Sequence, residues 1–233
     1  ANVCLAQFTD DFSDGDFTNN PVWVGQPDRF GIDGGRLRLL APAFADKSYL
    51  VTNSNAVENG SWEFYVRMDF NPSASNFTRI YLMADVPDIQ STTKGYYIQI
   101  GGTSDEISLF KQSGVSHEKI VDGLDGRVNL GTVELKVRAT RDANANWQLF
   151  SDVNLTGTWI LEGSTTDAAH IASVYFVVYC EYTSTRSTSF YFDDFVVSGI
   201  PVPDTTPPSL LSAEVTSSNE LSLVFSEPLD PTS

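Results

Sequence analysis

The chain has 233 residues, with 30 acidic and 14 basic side chains, so its formal charge near neutral pH is −16. This charge repels phosphate backbones and anionic lipid head groups, and no basic cluster offsets it, so we expect no nucleic-acid partner. Hydrophobic residues make up 41% and aromatic residues 12%, which is enough for a large core and excludes wholesale disorder. No run approaches the ~18 consecutive apolar residues of a membrane span, so we expect no membrane insertion.

Residues 1–6, with the sequence ANVCLA, read like the end of a secretory signal peptide that is cut after Ala6. We therefore predict a signal-peptide remnant at 1–6, an exported protein, and a mature chain that begins near Gln7. In that case Cys4 is lost and Cys180 is a lone buried thiol. If residues 1–6 are kept, a Cys4–Cys180 disulfide is the alternative. Two cysteines are too few for a disulfide framework or a zinc site.

Apolar and polar residues alternate with a period of two, which predicts antiparallel strands. The segments are 36–40, 62–70, 77–84, 96–100, 107–111, 133–139, 147–152, 174–182 and 190–198. Turn sequences such as Asp33-Gly34-Gly35 separate them. More than ten strands joined by short turns must hide both their apolar faces and their edges, so we predict an all-β, antiparallel jelly-roll β-sandwich over residues 7–200.

The amino-acid composition of the chain changes near residue 200. Residues 201–208 are rich in proline and predict a linker. Two further alternating segments follow, at 210–215 and 221–225. Because two strands cannot bury a core, we interpret residues 209–233 as the start of a truncated second β domain.

Several motifs resemble known families. The opening FTDDFSDGDF at 8–17, the strand WEFYVRMDF at 62–70 and the closing YFDDFVV at 191–197 resemble concanavalin A-like or laminin G-like jelly rolls of secreted Bacteroidetes proteins. The tail, from DTTPP at 204–208 to LVFSEPL at 223–229, resembles the first strands of a bacterial Ig-like domain. The resemblance implies a secreted or cell-surface bacterial protein with further domains in the same chain.

Acidic residues cluster at the two ends of the predicted sandwich: Asp10, Asp11, Asp14 and Asp16 at the start, and Asp193 and Asp194 at the end. Resemblance to sandwich carbohydrate-binding modules implies a structural calcium ion that ties the first strand to the last, with Asp11 and Asp194 as ligands. Carboxylate oxygens are the hard ligands that calcium prefers. The other interpretation is that these aspartates only cap turns.

The strand alternation also predicts a polar outer surface. Trp62 and Phe64 should face the core, as should Ile80, Leu82 and Ala84, while Met83 should face outward. The same alternation gives seven outward candidates for ligand binding: Glu63, Tyr65, Arg67, Arg79, Tyr81, Tyr97 and Gln99. Aromatic rings stack on sugar C–H faces and planar polar groups bind hydroxyls, so this surface suits a glycan or polysaccharide. The alternative is a hydrated sheet face that binds nothing.

Three functions remain open. The first is a non-catalytic carbohydrate-binding or adhesive module, and the second is a structural spacer. The third, a glycoside hydrolase, requires two carboxylates that are about 5 Å apart in retaining enzymes. The Glu-x-Asp-x-x-Glu pattern of the best-known enzymatic branch is absent at 63–69, and His117 and His170 are predicted to lie in surface loops. We therefore predict no catalytic residues and no enzyme.

Overall fold

The computed structural model describes residues 6–201, 208–217 and 219–226. A 3₁₀ turn spans Pro27–Arg29, and no helix in these ranges is long and apolar enough to cross a membrane. The strands are β1 (Ala6–Asp10), β2 (Val24–Gly25), β3 (Phe30–Asp33), β4 (Arg36–Leu39), β5 (Asp46–Asn53), β6 (Glu58–Met68), β7 (Phe77–Ala84), β8 (Thr93–Gly101), β9 (Ile107–Gly114), β10 (Ser116–Val121), β11 (Val133–Arg141), β12 (Asn146–Val153), β13 (Ile160–Thr166), β14 (Tyr175–Tyr182), β15 (Phe190–Ile200), β16 (Leu210–Ser217) and β17 (Glu220–Phe225).

The first fifteen strands form two antiparallel sheets. Sheet I has the order β13-β12-β11-β6-β15-β4-β3, and β1 also pairs with β15. Sheet II has the order β10-β9-β8-β7-β14-β5-β2. Strands β6 and β7 follow one another in the chain but lie in different sheets, so the chain crosses between the layers there. The predicted antiparallel β-sandwich is confirmed.

The core lies between the inner faces of the two sheets. Along β6, every second side chain from Trp62 to Met68 is fully buried in it, as the alternation predicted. Aromatic rings join the layers: Trp147 of sheet I stacks on Trp62 at 5.5 Å and contacts Tyr96 of sheet II at 4.8 Å. Such ring pairs contribute about 0.5–1.5 kcal/mol each beyond the area they bury.

A β-bulge in β7 overturns part of the predicted alternation. Tyr81 pairs with Tyr97 of β8, but the next pair is Met83 with Tyr96, so Leu82 is an extra residue. Leu82 and Met83 both lie in the core, and Ala84 turns to the outer face. The predictions that Met83 faces outward and Ala84 inward were therefore wrong.

Each of the nine predicted segments overlaps a strand, although Leu40, Asp69, Phe70 and Val174 lie beyond the strand ends. Strands β1, β2, β3, β5, β10 and β13 fall outside those segments. The shortest, β2 and β3, have two and four residues, too few for a clear alternation. Strand β13 is mostly polar because it lies at the edge of sheet I, where water covers one side.

The chain divides into two compact units, Ala1–Val202 and Pro203–Ser233. In the second unit, β16 and β17 form an antiparallel hairpin, and its side chains are nearly all exposed. Residues 1–5, 202–207, 218 and 227–233 lie outside the described residues. The signal-peptide remnant, with the fate of Cys4, most of the linker and the end of the tail motif therefore stay predictions. Cys180 is a buried, free cysteine, so the alternative Cys4–Cys180 disulfide is not found, and burial raises the pKa of the Cys180 thiol.

Candidate functional site

The seven predicted ligand-binding residues do not share one surface. Glu63, Tyr65 and Arg67 lie on β6, on the outer face of sheet I. The other four, on β7 and β8, lie on the outer face of sheet II, which is the opposite side of the sandwich. The assumption that all seven form one platform was wrong, because β6 and β7 belong to different sheets.

On sheet I the candidate side chains already have close partners. The pairs are Glu63 with Arg138 at 2.7 Å, Tyr65 with Glu134 at 2.6 Å and Arg67 with Asp69 at 2.7 Å. Such contacts between neighbouring side chains on one sheet face are a common way of stabilising a sheet. This part of the surface therefore has a sufficient structural role.

On sheet II the strand register places the other candidates side by side. Tyr179 of β14 lies opposite Arg79, and Arg79 lies opposite Gln99. In the adjacent row, Tyr81 lies opposite Tyr97 with ring centroids 4.8 Å apart. The four sheet II candidates thus form one contiguous patch in the middle of the sheet.

Arg79 lies at the centre of this patch. Its guanidinium carbon is 5.0 Å from the ring centroid of Tyr97, 5.1 Å from that of Phe77 and 5.7 Å from that of Tyr179. Its Nε donates a hydrogen bond to Oε1 of Gln99 at 3.0 Å. Contacts of a guanidinium with ring faces are worth about 0.5–2 kcal/mol. Arg79 is therefore fixed in position before any ligand arrives.

The tyrosine hydroxyls around Arg79 are hydrogen-bonded and neutral. Tyr81 donates to Oε1 of Gln112 at 2.8 Å, and burial raises the pKa of Tyr81 to about 12, a rise that the charge of Arg79 partly offsets. Burial likewise raises the pKa of Tyr97, whose hydroxyl lies 3.0 Å from Nδ1 of His117. The phenols can therefore serve as hydrogen-bonding groups but carry no charge.

The side chain of Ile89, from the loop between β7 and β8, is buried in the aromatic cluster on this face. Beside it lies a depression of about 230 Å³, which we call the Arg79 groove. Its lining consists of Lys47, Arg79, Tyr81, Ile89, Gln90, Ser91, Gln112, Val115, His117 and Tyr179. A concave site with an aromatic floor and convergent polar groups is the usual form of a small-ligand site.

Several groove residues escaped the sequence analysis. His117 lies in β10 and contacts Tyr97, so its assignment to a surface loop was wrong. Gln112 reaches the groove from β9, and Lys47 from β5. The only sequence signal for them is strand alternation, and it becomes useful only once the strand order is known.

The acidic residues of the two sandwich ends do come together. Strand β1 pairs with β15, and Asp11 and Asp194 line one depression of about 550 Å³. Asp194 has a φ of 51° and lies where the pairing of β15 with β6 is irregular. The predicted proximity of the first and last strands is therefore found.

The donors in this depression do not fit calcium as they are placed. Oδ2 of Asp194 lies 2.9 Å from Nζ of Lys136, and this bond raises the pKa of Lys136. Oδ1 of Asp11 accepts hydrogen bonds from the backbone and hydroxyl of Ser13. Among the described residues, no three His, Cys, Asp or Glu side chains form a group that could hold a metal ion. An ammonium group therefore lies where the resemblance implied a calcium ion.

Asp10 in the same depression has a structural role. Its Oδ2 accepts a hydrogen bond from Nε1 of Trp23 at 2.8 Å, and its Oδ1 accepts one from the backbone of Phe12 at 3.0 Å. Burial raises the pKa of Asp10 to about 6, and the negative charges of Asp14 and Asp11 contribute. The carboxyl group thus anchors β1 to the core.

Comparisons with known protein families and with curated proteins found no match to this chain. Among solved structures, a legume lectin-like domain from Entamoeba histolytica superposes with a TM-score of 0.60 at 13% identity, covering 86% of this chain and 100% of that one. The exoplasmic/lumenal domain of VIP36, bound to Ca²⁺ and Man2, gives 0.56 at 10% identity, covering 85% and 90%.

The metal-free carbohydrate recognition domain of Emp46p gives a TM-score of 0.57 at 11% identity, covering 84% of this chain and 96% of that one. The VIP36 domain also superposes in its metal-free form. At these identities the likenesses show the fold alone. They confirm the predicted concanavalin A-like jelly roll for the first unit.

Proposed function

We propose that this chain is a non-catalytic carbohydrate-binding module and that it binds sugar in the Arg79 groove. The observation that carries the proposal is the groove itself, where polar side chains converge on a guanidinium that buried tyrosine rings hold in place. Sugar hydroxyls form hydrogen bonds with such polar groups. The likeness to a VIP36 domain bound to mannose-containing glycans supports this proposal.

Within this proposal two of the four sheet II candidates, Arg79 and Tyr81, line the binding groove. The other two, Tyr97 and Gln99, hold Arg79 in position. The proposal leaves out Glu63, Tyr65 and Arg67. These residues lie on the opposite face, and each already bonds to a neighbouring side chain of its own sheet. A catalytic role is left out as well. Among the described residues, Asp10 is the acidic group whose pKa reaches about 6, and it uses both oxygens to hold Trp23 and Phe12.

We further propose that Asp11 and Asp194 do not bind calcium. The likeness to Ca²⁺-bound VIP36 supports testing the metal, but Lys136 neutralises Asp194 and would have to leave before an ion could bind. Calorimetric titration of the chelator-treated chain with CaCl₂ should therefore give no saturable binding heat. Saturable heat that disappears in Asp194→Asn would contradict this part of the proposal.

The module is proposed to act outside the cell, as one part of a secreted or surface-attached bacterial protein. The signal-like residues 1–6 and the Pro-rich residues 201–208 support this context. The hairpin of β16 and β17 supports the interpretation of residues 209–233 as the start of an Ig-like domain. In that context the other domains of the same chain are natural partners.

The test is a glycan and polysaccharide array probed with the full chain, followed by calorimetry on each positive ligand. Arg79→Gln should weaken binding at least tenfold, because the removed guanidinium contributes both charge and hydrogen bonds. Arg67→Gln is the matched control, since it removes an arginine from the opposite face of the same sandwich.

The two variants also decide between the faces. Loss of binding in Arg67→Gln alone would move the site to sheet I and contradict the proposed location. No binding to any glycan, with or without calcium, would contradict the function and favour a structural spacer.

A further inference from the structure

The charge of the Arg79 groove is opposite to that of the whole chain. The chain has 30 acidic and 14 basic residues, yet two basic residues, Lys47 and Arg79, line the groove and no acidic residue does. In the acidic depression at the other sheet, five carboxylates face the single cation Lys136. A local reversal of charge in a concave site focuses the field on ligands of the opposite sign.

Arg79 differs from most cations of this protein in its partners. Ten of the 14 basic residues form an ion pair with a carboxylate of the described part of the chain, and Arg79 does not. Lys94, Arg141 and Arg186 also lack such a pair there, but none of them lines the groove. Arg79 therefore combines an unpaired charge with a place in a cavity.

Glu181, an acidic side chain of β14 on this face, is already engaged. Its Oε2 accepts a hydrogen bond from Tyr179 at 2.8 Å and lies 3.9 Å from Nζ of Lys47. Glu181 is also absent from the groove lining. Glu181 and Lys47 therefore offset each other, and Arg79 remains the unpaired cation of the groove.

The guanidinium has donors to spare. Arginine has five N–H groups. Gln99 takes one, and the Tyr81 hydroxyl interacts with the group as well. The remaining N–H groups suffice for the two parallel hydrogen bonds that a planar guanidinium makes with a planar carboxylate.

We propose that the Arg79 groove binds a sugar that carries a carboxylate, a uronic acid unit, with the carboxylate on Arg79. This inference rests on the proposed carbohydrate-binding function and adds the class of ligand. The groove volume of about 230 Å³ lies below the roughly 300–1,000 Å³ of sites for drug-sized ligands, which suits one sugar ring at a time.

The experiment uses matched pairs of ligands on the full chain. Oligomers of galacturonate, glucuronate and mannuronate are titrated by calorimetry next to the same oligomers as methyl esters. Esterification removes the charge but keeps the ring and its hydroxyls. At least one acid form should bind, and its ester should bind at least tenfold more weakly.

Variants of Arg79 then locate the contact. Arg79→Met should weaken binding of the acid to the level of the ester, whereas Arg79→Lys should keep part of the preference because it keeps the charge. Lys94→Gln, a cation outside the groove, is the control. Circular dichroism checks that the variants fold, and the comparison of acid with ester does not depend on any variant.

The results that would overturn this inference differ from those that would contradict the proposed function. Equal binding of acid and ester, or binding of neutral glycans without any uronate, would overturn the inference and leave the function standing. Binding of sulfated oligosaccharides without uronates would also overturn it, since the groove would then select sulfate. No binding to any carbohydrate would contradict both.

Discussion

Three buried tyrosines on the outside of a sheet are unusual, because that face of a sandwich normally meets water. Tyr81 and Tyr97 are each 1% exposed and Tyr179 is 4% exposed. They stay buried because their rings pack together around Arg79 and beneath Ile89, while their hydroxyls find partners at the rim. At the scale of single residues, the site is thus a small second core with polar edges.

The hydroxyl of Tyr81 tests this packing. Tyr81→Phe leaves the ring but removes the hydrogen bond to Gln112, so a buried amide oxygen loses its donor. We expect the free energy of unfolding to fall by about 1–2 kcal/mol, measured by urea denaturation. Tyr191→Phe is the control, because no hydrogen bond of the Tyr191 hydroxyl occurs among the described residues. Equal losses in the two variants would show that the bond to Gln112 contributes nothing.

Asp10 gives a prediction about pH. Its pKa in the fold is raised from 3.8 to about 6, so the folded chain binds this proton more tightly than the unfolded chain. The contribution of Asp10 to stability should therefore rise as the pH falls from about 6 to 4 and be lowest above pH 6.

Wild type should accordingly gain on the order of 1–2 kcal/mol relative to Asp10→Asn between pH 7 and pH 4, after allowance for solvent screening. Urea denaturation of both proteins at the two pH values measures this difference. A constant difference would show that Asp10 titrates as an ordinary aspartate.

At the scale of strands, the accuracy of sequence reasoning followed the regularity of each element. Strand β6 alternates without interruption on its core side, so its buried set was predicted in full. In β7 the alternation changes at Leu82, and nothing in the sequence of β7 marks the change. The partner strand accommodates the change with Gly95 of β8, where a Cβ would collide with the Met83 carbonyl.

The bulge yields a stability prediction. Met83→Ala should cost about 2–4 kcal/mol in unfolding free energy, because its side chain fills the core. Met68→Ala on β6 is the matched case and should cost a similar amount. Chemical denaturation measures both. A loss below about 1 kcal/mol for Met83→Ala would contradict the bulge. It would mean that this side chain faces water, as the uninterrupted alternation predicts.

Strand order is the information that the sequence lacked. Alternation found Arg79, Tyr81, Tyr97 and Gln99 correctly as outward residues, but it found Glu63, Tyr65 and Arg67 in the same way. Only the crossing between β6 and β7 separates the two sets. Gln112 and His117 were missed for the converse reason, since pairing of β8, β9 and β10 brings them to the groove from distant positions in the chain.

At the scale of the whole molecule, the acidic surface and the cationic groove act over different distances. The net charge of −16 extends its field over roughly 30 Å at 0.01 M salt but only about 8 Å at 0.15 M. Contacts inside the groove are partly buried and are screened much less. The net charge of the chain therefore repels an acidic oligosaccharide as it approaches, and Arg79 attracts it only inside the groove.

This separation has a kinetic consequence. For a charged oligosaccharide, the association rate constant should increase several-fold between 0.01 and 0.15 M NaCl, whereas for a neutral glycan it should stay constant. Stopped-flow tyrosine fluorescence would measure both. An association rate that falls with salt would mean that the field of the groove reaches beyond its rim. If the association rate constant rises with salt as expected, ionic strength controls how fast the ligand binds. The chain then binds acidic polysaccharide fastest where salt is abundant.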